Sequence, residues 1–145
     1  TPDAPLADGT EVSATATDSA GNESGPVTAT VDAAINVTID ESSLADTSDN
    51  TPILTGTVDT DADSVTVMIG GHSYDATVDT ANGSWSVGVT TPLAVDGDYT
   101  VTVTATDALG NTDEVTGDLT LDTSAPGAPT VDETNGKGSL TGTAE

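Results

Sequence analysis

Acidic and amide side chains carry most of the chemistry that this sequence could perform. Asp and Glu together number 25 against one Lys and no Arg, which gives a formal charge of −24. Crowded carboxylates oppose one another's ionisation unless a positive charge neutralises them, and the chain offers almost none. With no Cys and a single His, the available ligands are oxygen atoms. Such ligands favour a hard cation, and Ca²⁺ suits loops better than Mg²⁺ or Zn²⁺.

The spacing of these side chains argues against a known calcium loop. Asp59, Asp61 and Asp63 alternate like the start of an EF-hand, but Ser64 stands where the motif needs Gly. Gly70 likewise stands where the motif needs Glu. Any cation site must therefore be assembled from separate loops.

Other classes of function are excluded by composition. His72 is the only imidazole and has no Cys or Ser arrangement to activate, and three aromatic residues are too few for a sugar-cleaving cleft. The sequence therefore predicts no enzyme. A single basic residue cannot form the positively charged surface that binds nucleic acid. No apolar run approaches the roughly 18 residues of a membrane span. Neither nucleic acid binding nor membrane insertion is expected.

Alternating apolar and Thr residues predict strands. In residues 99–106, Tyr99, Val101, Val103 and Ala105 share one face and Thr residues occupy the other. Turn dipeptides at Gly70-Gly71 and Asn82-Gly83 separate further alternating segments. We predict seven strands, A to G with one called C′, at 34–40, 52–58, 64–70, 73–79, 84–91, 98–106 and 114–121. Seven strands without a helix favour an all-β, immunoglobulin-like β-sandwich with Trp85 and Tyr99 in its core.

The sequence also repeats itself. LADGTEVSATATDSAGN at 6–22 recurs as LAVDGDYTVTVTATDALGN at 93–111, so that Asp18 and Asp107 lie 89 residues apart. LTGT at 54–57 recurs at 140–143, 86 residues later. We therefore expect a slice of a tandem array with a repeat of about 89 residues. Residues 1–33 would be strands F and G of the preceding repeat, 34–123 a complete repeat, and 124–145 strands A and B of the next.

Four stretches carry a family resemblance. LTGT at 54–57, NGSWSV at 82–87, DGDYTVTVTATDALGN at 96–111 and DTSAP at 122–126 resemble bacterial immunoglobulin-like (Big/Bap-type) extender repeats. Such repeats belong to giant, calcium-dependent, type I-secreted surface adhesins. The resemblance implies an extracellular location on a bacterial surface, a spacer role in adhesion or biofilm formation, and calcium at the junctions between repeats.

The predicted topology gathers acids at one end of the sandwich, which we call the leading end. It holds the start of strand A and the B–C and F–G loops. The acids gathered there are Asp32, Asp59, Asp61, Asp63, Asp107 and the amide Asn111. The resemblance assigns calcium to Asp32, Asp107 and Asn111, and geometry adds Asp59 and Asp61. The next junction would use Asp122 and Glu145, and the preceding one Asp18 and Asn22.

Three alternatives remain open at this point. The acidic loops suit the solvated surface of a protein adapted to salty water. A module that binds a glycan or protein directly would need exposed aromatic rings. A scaffold that forms fibres or surface layers would associate end to end or side by side through unpaired strand edges, beyond its contacts with neighbouring repeats of the same chain.

Overall fold

The computed structural model describes residues 4–131 and 142–143, and it builds them from strands without an α-helix. A single 3-10 turn lies at Glu41–Ser43. The strands are β1 Glu11–Ala14, β2 Val27–Thr30, β3 Ile53–Thr57, β4 Ala62–Ile69, β5 His72–Asp75, β6 Thr77–Asp79, β7 Ser84–Gly88, β8 Gly97–Asp107, β9 Thr112–Leu121, β10 Thr130–Val131 and β11 Gly142–Thr143.

Seven of these strands, β3 to β9, form two antiparallel sheets around one core. The first sheet has the order β5-β4-β8-β9 and the second β3-β7-β6. The inward residues follow the predicted alternation: Val101, Val103 and Ala105 are fully buried while the Thr residues between them stay partly exposed. Trp85 lies in the same core at 2% exposure. The predicted all-β, immunoglobulin-like sandwich is confirmed.

The predicted strand C′ is two strands. β5 pairs with β4 in the first sheet, whereas β6 pairs with β7 in the second. Between them the Ala76 N–H donates to the Val65 carbonyl at 2.9 Å. Tyr74, Ala76 and Val78 all pack against the core, so the alternation of inward residues continues through the change of sheet. The sequence pattern therefore gave no sign of the switch.

The predicted strand A is also irregular. Val37 forms an isolated bridge with Val58, and the N–H groups of Thr38 and Asp40 donate to the Thr57 and Thr55 carbonyls, both at 2.9 Å. Further along, Thr47 pairs in parallel with Leu121 at the end of β9. One segment thus covers an edge of each sheet, which protects both edges from pairing with other chains.

Two short pairs of antiparallel strands lie outside the sandwich. β1 pairs with β2, and β10 pairs with β11, both antiparallel. The Thr38–Thr57 hydroxyl contact of 2.7 Å has a counterpart at Thr130–Thr143, at 2.9 Å. One side-chain contact of the sandwich therefore has an equivalent outside it.

Tyr99 is half-buried and anchors the loop that precedes β8. Its hydroxyl donates to the Val95 carbonyl at 2.8 Å and accepts from the Val95 N–H at 3.1 Å. A tyrosine bonded to the backbone a few residues upstream, at the corner before strand F, is a feature of immunoglobulin-like sandwiches. The β7–β8 loop is therefore attached directly to a central strand.

Tyr74 provides a test of the core. Its hydroxyl oxygen is buried and has no hydrogen-bond partner among the described residues. Burying a hydroxyl without a partner costs about 1–3 kcal/mol. We expect Tyr74→Phe to leave the free energy of unfolding unchanged or raise it by about 1 kcal/mol, measured by urea unfolding with Trp85 fluorescence. A clear loss of stability would mean that the hydroxyl has a partner in solution.

Candidate metal centre

Asp107 ends β8 and folds the following loop around its own carboxylate. It is buried, at 4% exposure. One carboxylate oxygen accepts the N–H groups of Leu109 and Asn111 at 2.8 and 2.9 Å, and the other accepts the Asn111 side-chain amide at 2.6 Å. Gly110 completes the turn with φ at 89°, a conformation that favours glycine. The position of this carboxylate is therefore fixed by the loop itself.

The same loop occurs 89 residues earlier in the chain. Asp18 accepts the N–H groups of Ala20 and Asn22, both at 2.9 Å, and the Asn22 side-chain amide at 2.8 Å. Gly21 has the same φ of 89° as Gly110. The sequence repeat is thus also a structural repeat, down to individual hydrogen bonds.

These hydrogen bonds favour the charged form of both carboxylates. The side-chain and backbone N–H groups of Asn22 lower the pKa of Asp18. Burial acts to raise the pKa of Asp107, but the N–H groups of Asn111, Leu109 and Gly110 outweigh it and the pKa is lowered. Asp107 is therefore held as a buried anion.

Three carboxylates from distant parts of the chain meet at the leading end of the sandwich. One oxygen each of Asp32, Asp61 and Asp107 lie within 4.8 Å of one another. Asp32 follows β2, Asp61 lies in the β3–β4 loop, and Asp107 ends β8. We call these three residues the acidic cluster. It joins the chain before the sandwich to two loops of the sandwich.

The charges in the cluster oppose one another. Burial raises the pKa of Asp32, and the negative charges of Asp61, Asp107 and Asp8 raise it further, against a lowering by the Ala34 N–H. Residues 4–131 and 142–143 contain no Lys or Arg to neutralise these charges. The donor set is made of carboxylate oxygens alone, which is the set that fits a hard cation such as Ca²⁺.

A family comparison identifies the sandwich. The family model described as "Bacterial Ig-like domain" matches residues 34–123. The chain belongs to the bacterial Ig-like domain family. Asp32 precedes the matched residues, whereas Asp61 and Asp107 lie within them, so the acidic cluster ties the bacterial Ig-like domain to the chain that leads into it.

Three solved structures are similar to this bacterial Ig-like chain. A tetra-tandem repeat from the extending region of a large adhesion protein is 28% identical, with a TM-score of 0.49, over 92% of this chain and 38% of that one. A Ca²⁺-stabilised adhesin that helps an Antarctic bacterium bind ice is 32% identical, with a TM-score of 0.42, over 87% and 35%. A 1.5-MDa bacterial ice-binding adhesin is 35% identical, with a TM-score of 0.37, over 77% and 40%.

The chain thus spans between 35% and 40% of these three solved chains. A comparison with curated proteins found no match. Among the described residues, no helix is long and apolar enough to cross a membrane.

The remaining predicted ligands at this end of the bacterial Ig-like domain surround the cluster. Asp59 accepts the backbone and side-chain N–H groups of Asn36 at 2.9 and 2.7 Å, which ties the start of the domain to the β3–β4 loop. Asn111 donates to Asp107 and, at 3.4 Å, to the Asp32 carbonyl. Asp63 is exposed on β4 and outside the cluster.

The ligands predicted for the other two junctions lie apart from the cluster. Asp18 and Asn22 bond to each other in the loop between β1 and β2. Asp122 accepts the Ser124 N–H at 2.9 Å. Glu145 lies outside the described residues.

Asp8 is a member of this neighbourhood that the sequence reasoning missed. A pocket of about 550 Å³ at the leading end is lined by Asp8 together with Asp32, Asp59 and Asp61. The signal was present in the repeat, since LADG at 6–9 corresponds to LAVDG at 93–97. In a tandem array the loop before strand F faces the next unit, so an acid in that loop belongs to the same junction.

Proposed function

We propose that this chain is part of the extender region of a bacterial cell-surface adhesin, and that Ca²⁺ stiffens the junction between its units. Residues 34–123 form one complete spacer, and residues 1–33 and 124–145 belong to its neighbours in the row. The rod would project an adhesive tip away from the cell and so support adhesion or biofilm formation. The proposal gives the chain a mechanical role outside the cell and no catalytic one.

The acidic cluster is the observation that carries this proposal. Its three carboxylates come from the linker before the sandwich (residues 32–34), the β3–β4 loop and the end of β8. One oxygen of each lies within 4.8 Å of the others. A cation held by all three would connect the linker to the domain and cancel their mutual repulsion. Both effects reduce bending between units.

The residues at this end have two different roles, binding the ion and positioning the groups that bind it. Asp32, Asp61 and Asp107 would hold the ion, which supplies positive charge and a cross-link when bound. Asn111 orients Asp107 through the 2.6 Å hydrogen bond and also contacts the linker. Asp59 holds the first residues of the domain through Asn36, beside the ion rather than on it.

The affinity typical of extracellular calcium sites suits a junction that fills only outside the cell. Extracellular calcium modules bind with dissociation constants of about 10⁻⁴ to 10⁻³ M. The junction would therefore be filled outside the cell and empty inside it. A flexible chain inside the cell is also the form that passes most easily through a narrow secretion channel.

The test is a calcium titration of the whole chain by calorimetry, combined with thermal unfolding. An ion that binds only the folded state adds about 1.4 kcal/mol when its concentration is about 10 times the dissociation constant. We expect a higher midpoint in millimolar calcium than in chelator, and a smaller rise with magnesium. Equal midpoints and no binding heat would disprove the junction mechanism.

A binding module that uses aromatic rings is not favoured. Trp85 is 2% exposed, and Tyr74 and Tyr99 are half-buried against the core. Among the described residues, neither the tryptophan nor either tyrosine is fully exposed, which disfavours a site where a sugar stacks on an aromatic ring.

A further inference from the structure

The chain that leaves the sandwich is held by an aspartate of the β7–β8 loop. One carboxylate oxygen of Asp96 accepts the N–H and hydroxyl of Thr123 at 3.0 and 2.7 Å. Its other oxygen accepts the Ser124 hydroxyl at 2.7 Å. The side chains of Thr123 and Ser124, and then the Thr123 N–H, lower the pKa of Asp96. Asp96 thus stays charged and holds two linker residues at once.

The loop that carries Asp96 is itself anchored. The neighbouring Val95 is bonded through both backbone groups to the Tyr99 hydroxyl on β8. Leu93, on the other side, is buried, and its N–H donates to the Asn50 carbonyl at 2.8 Å. The contact between Asp96 and Thr123 therefore fixes the linker relative to the core of the sandwich.

Asp8, before β1, makes the backbone part of the same contact. Asp8 occupies the position of Asp96 in the repeated sequence, and one of its carboxylate oxygens accepts the Ala33 N–H at 3.0 Å. Two copies of one contact, in loops of different length, indicate a feature of the repeat rather than an accident of one loop.

The linker at the first junction is short. Val31 is still bonded to the preceding hairpin, since its N–H donates to the Thr10 carbonyl at 2.8 Å. Ile35 is already buried in the next core, at 4% exposure. Only residues 32–34 lie between these two fixed points, and Asp8 holds the middle one.

We propose that Asp8 and Asp96 are linker clamps, hydrogen-bond acceptors that set the direction in which the chain leaves each unit without any metal. The acidic cluster then fixes the same linker to the following unit. This inference rests on the proposed function, because a fixed direction matters only if further units follow. The contact of the linker with the preceding unit is then ordered on folding, whereas its contact with the following unit is ordered by calcium.

The first test is hydrogen exchange of the Thr123 N–H in the whole chain, in chelator. Losing a hydrogen bond to a charged acceptor is expected to speed exchange of Thr123 in Asp96→Ala about tenfold to a hundredfold. Asp98→Ala is the matched control, because it removes the same charge two residues away and loses only a bond from the Thr120 hydroxyl. Equal Thr123 exchange in Asp96→Ala and Asp98→Ala would overturn the clamp.

The second test measures direction at the first junction. The chain has no Cys, so spin labels can be placed at Thr28→Cys on β2 and Ser86→Cys on β7, both exposed. In chelator we expect a broader distance distribution for Asp8→Ala than for the labelled chain with Asp8 in place, and no such broadening for Asp8→Asn, which keeps an acceptor oxygen. Equal distribution widths for Asp8→Ala and for the labelled chain with Asp8 in place would refute the clamp.

Calcium separates this inference from the proposed function. If calcium narrows the Asp8→Ala distribution, both ideas stand, because the cluster then orders a linker that has lost its clamp. If calcium changes no distribution while Asp8→Ala is still broader in chelator, the clamp stands and the calcium junction fails. Unfolding followed by Trp85 fluorescence checks that the sandwich is intact in each variant.

Discussion

Asp61→Asn is expected to weaken calcium binding by at least about tenfold. In chelator it should leave stability unchanged or slightly higher, because it removes a charge that opposes Asp32. Asp61 supplies one of the three clustered carboxylates from an exposed loop position. Asparagine keeps the size of the side chain but removes a charge, and ligand charge is a main determinant of calcium affinity. Calorimetric titration gives the affinity, and thermal unfolding in chelator gives the stability.

Asp63→Asn is the matched control for this prediction. Asp63 is exposed two residues further along and is not a member of the cluster. Its substitution should change the affinity little. If Asp61→Asn and Asp63→Asn weaken binding equally, the ion responds to overall charge and the three-carboxylate site is wrong.

Asp107 is a less selective position for this experiment. Its carboxylate holds Leu109 and Asn111 as well as facing the cluster. Replacing it by Ala leaves those N–H groups without their acceptor, which costs about 1–3 kcal/mol before calcium is considered. A loss of calcium binding in that variant would combine two effects, whereas Asp61→Asn isolates one.

Gly56→Ala is expected to destabilise the sandwich by about 3 kcal/mol, at or above the upper end of ordinary overpacking. Gly56 lies in β3 beneath Trp85, whose ring N–H donates to the Thr38 carbonyl at 2.9 Å. An added Cβ would overlap the Thr38 carbonyl oxygen and lie 2.7 Å from the Trp85 ring nitrogen. The Trp85–Thr38 contact must therefore break or β3 must move.

Gly88→Ala supplies the control for Gly56→Ala. Gly88 lies on β7, which pairs with β3, and a Cβ added there would meet nothing within 4 Å. Its effect should stay within about 0.5 kcal/mol. Urea unfolding followed by Trp85 fluorescence measures both variants. Similar midpoints for the two would show that Trp85 and the 37–40 segment can shift without loss.

Sequence reasoning predicted the sandwich because the two sheets leave a strong local signal. Along β4, β7 and β8, inward apolar residues alternate with mostly Thr or Ser residues on the other face, and each alternation is visible within a few residues. The division of strand C′ left no such signal, since the inward positions Tyr74, Ala76 and Val78 keep the same period across the change of sheet. Which of the two sheets a strand joins is determined by tertiary packing and not by the local sequence pattern.

The cluster was only partly predictable for a related reason. Topology indicates which loops share an end of the sandwich, and it brought Asp32, Asp61 and Asp107 to one place. It does not indicate which acid within a loop turns toward the others. Asp59 turns to Asn36 instead, where its carboxylate accepts hydrogen bonds from the backbone and side-chain N–H groups. Asp8 was missed because the prediction considered the linker and the loops of residues 34–123, and not the loop before β1.

The closed loop around Asp107 has a consequence for how an array would respond to calcium. Because three N–H donors already fix that carboxylate, little conformational entropy is lost when an ion arrives. The loop around Asp18 is closed in the same way, so each junction of the proposed array would contain a carboxylate that is fixed before the ion binds. Successive junctions should then fill independently, and the stiffness of the rod should follow the calcium concentration in a graded manner.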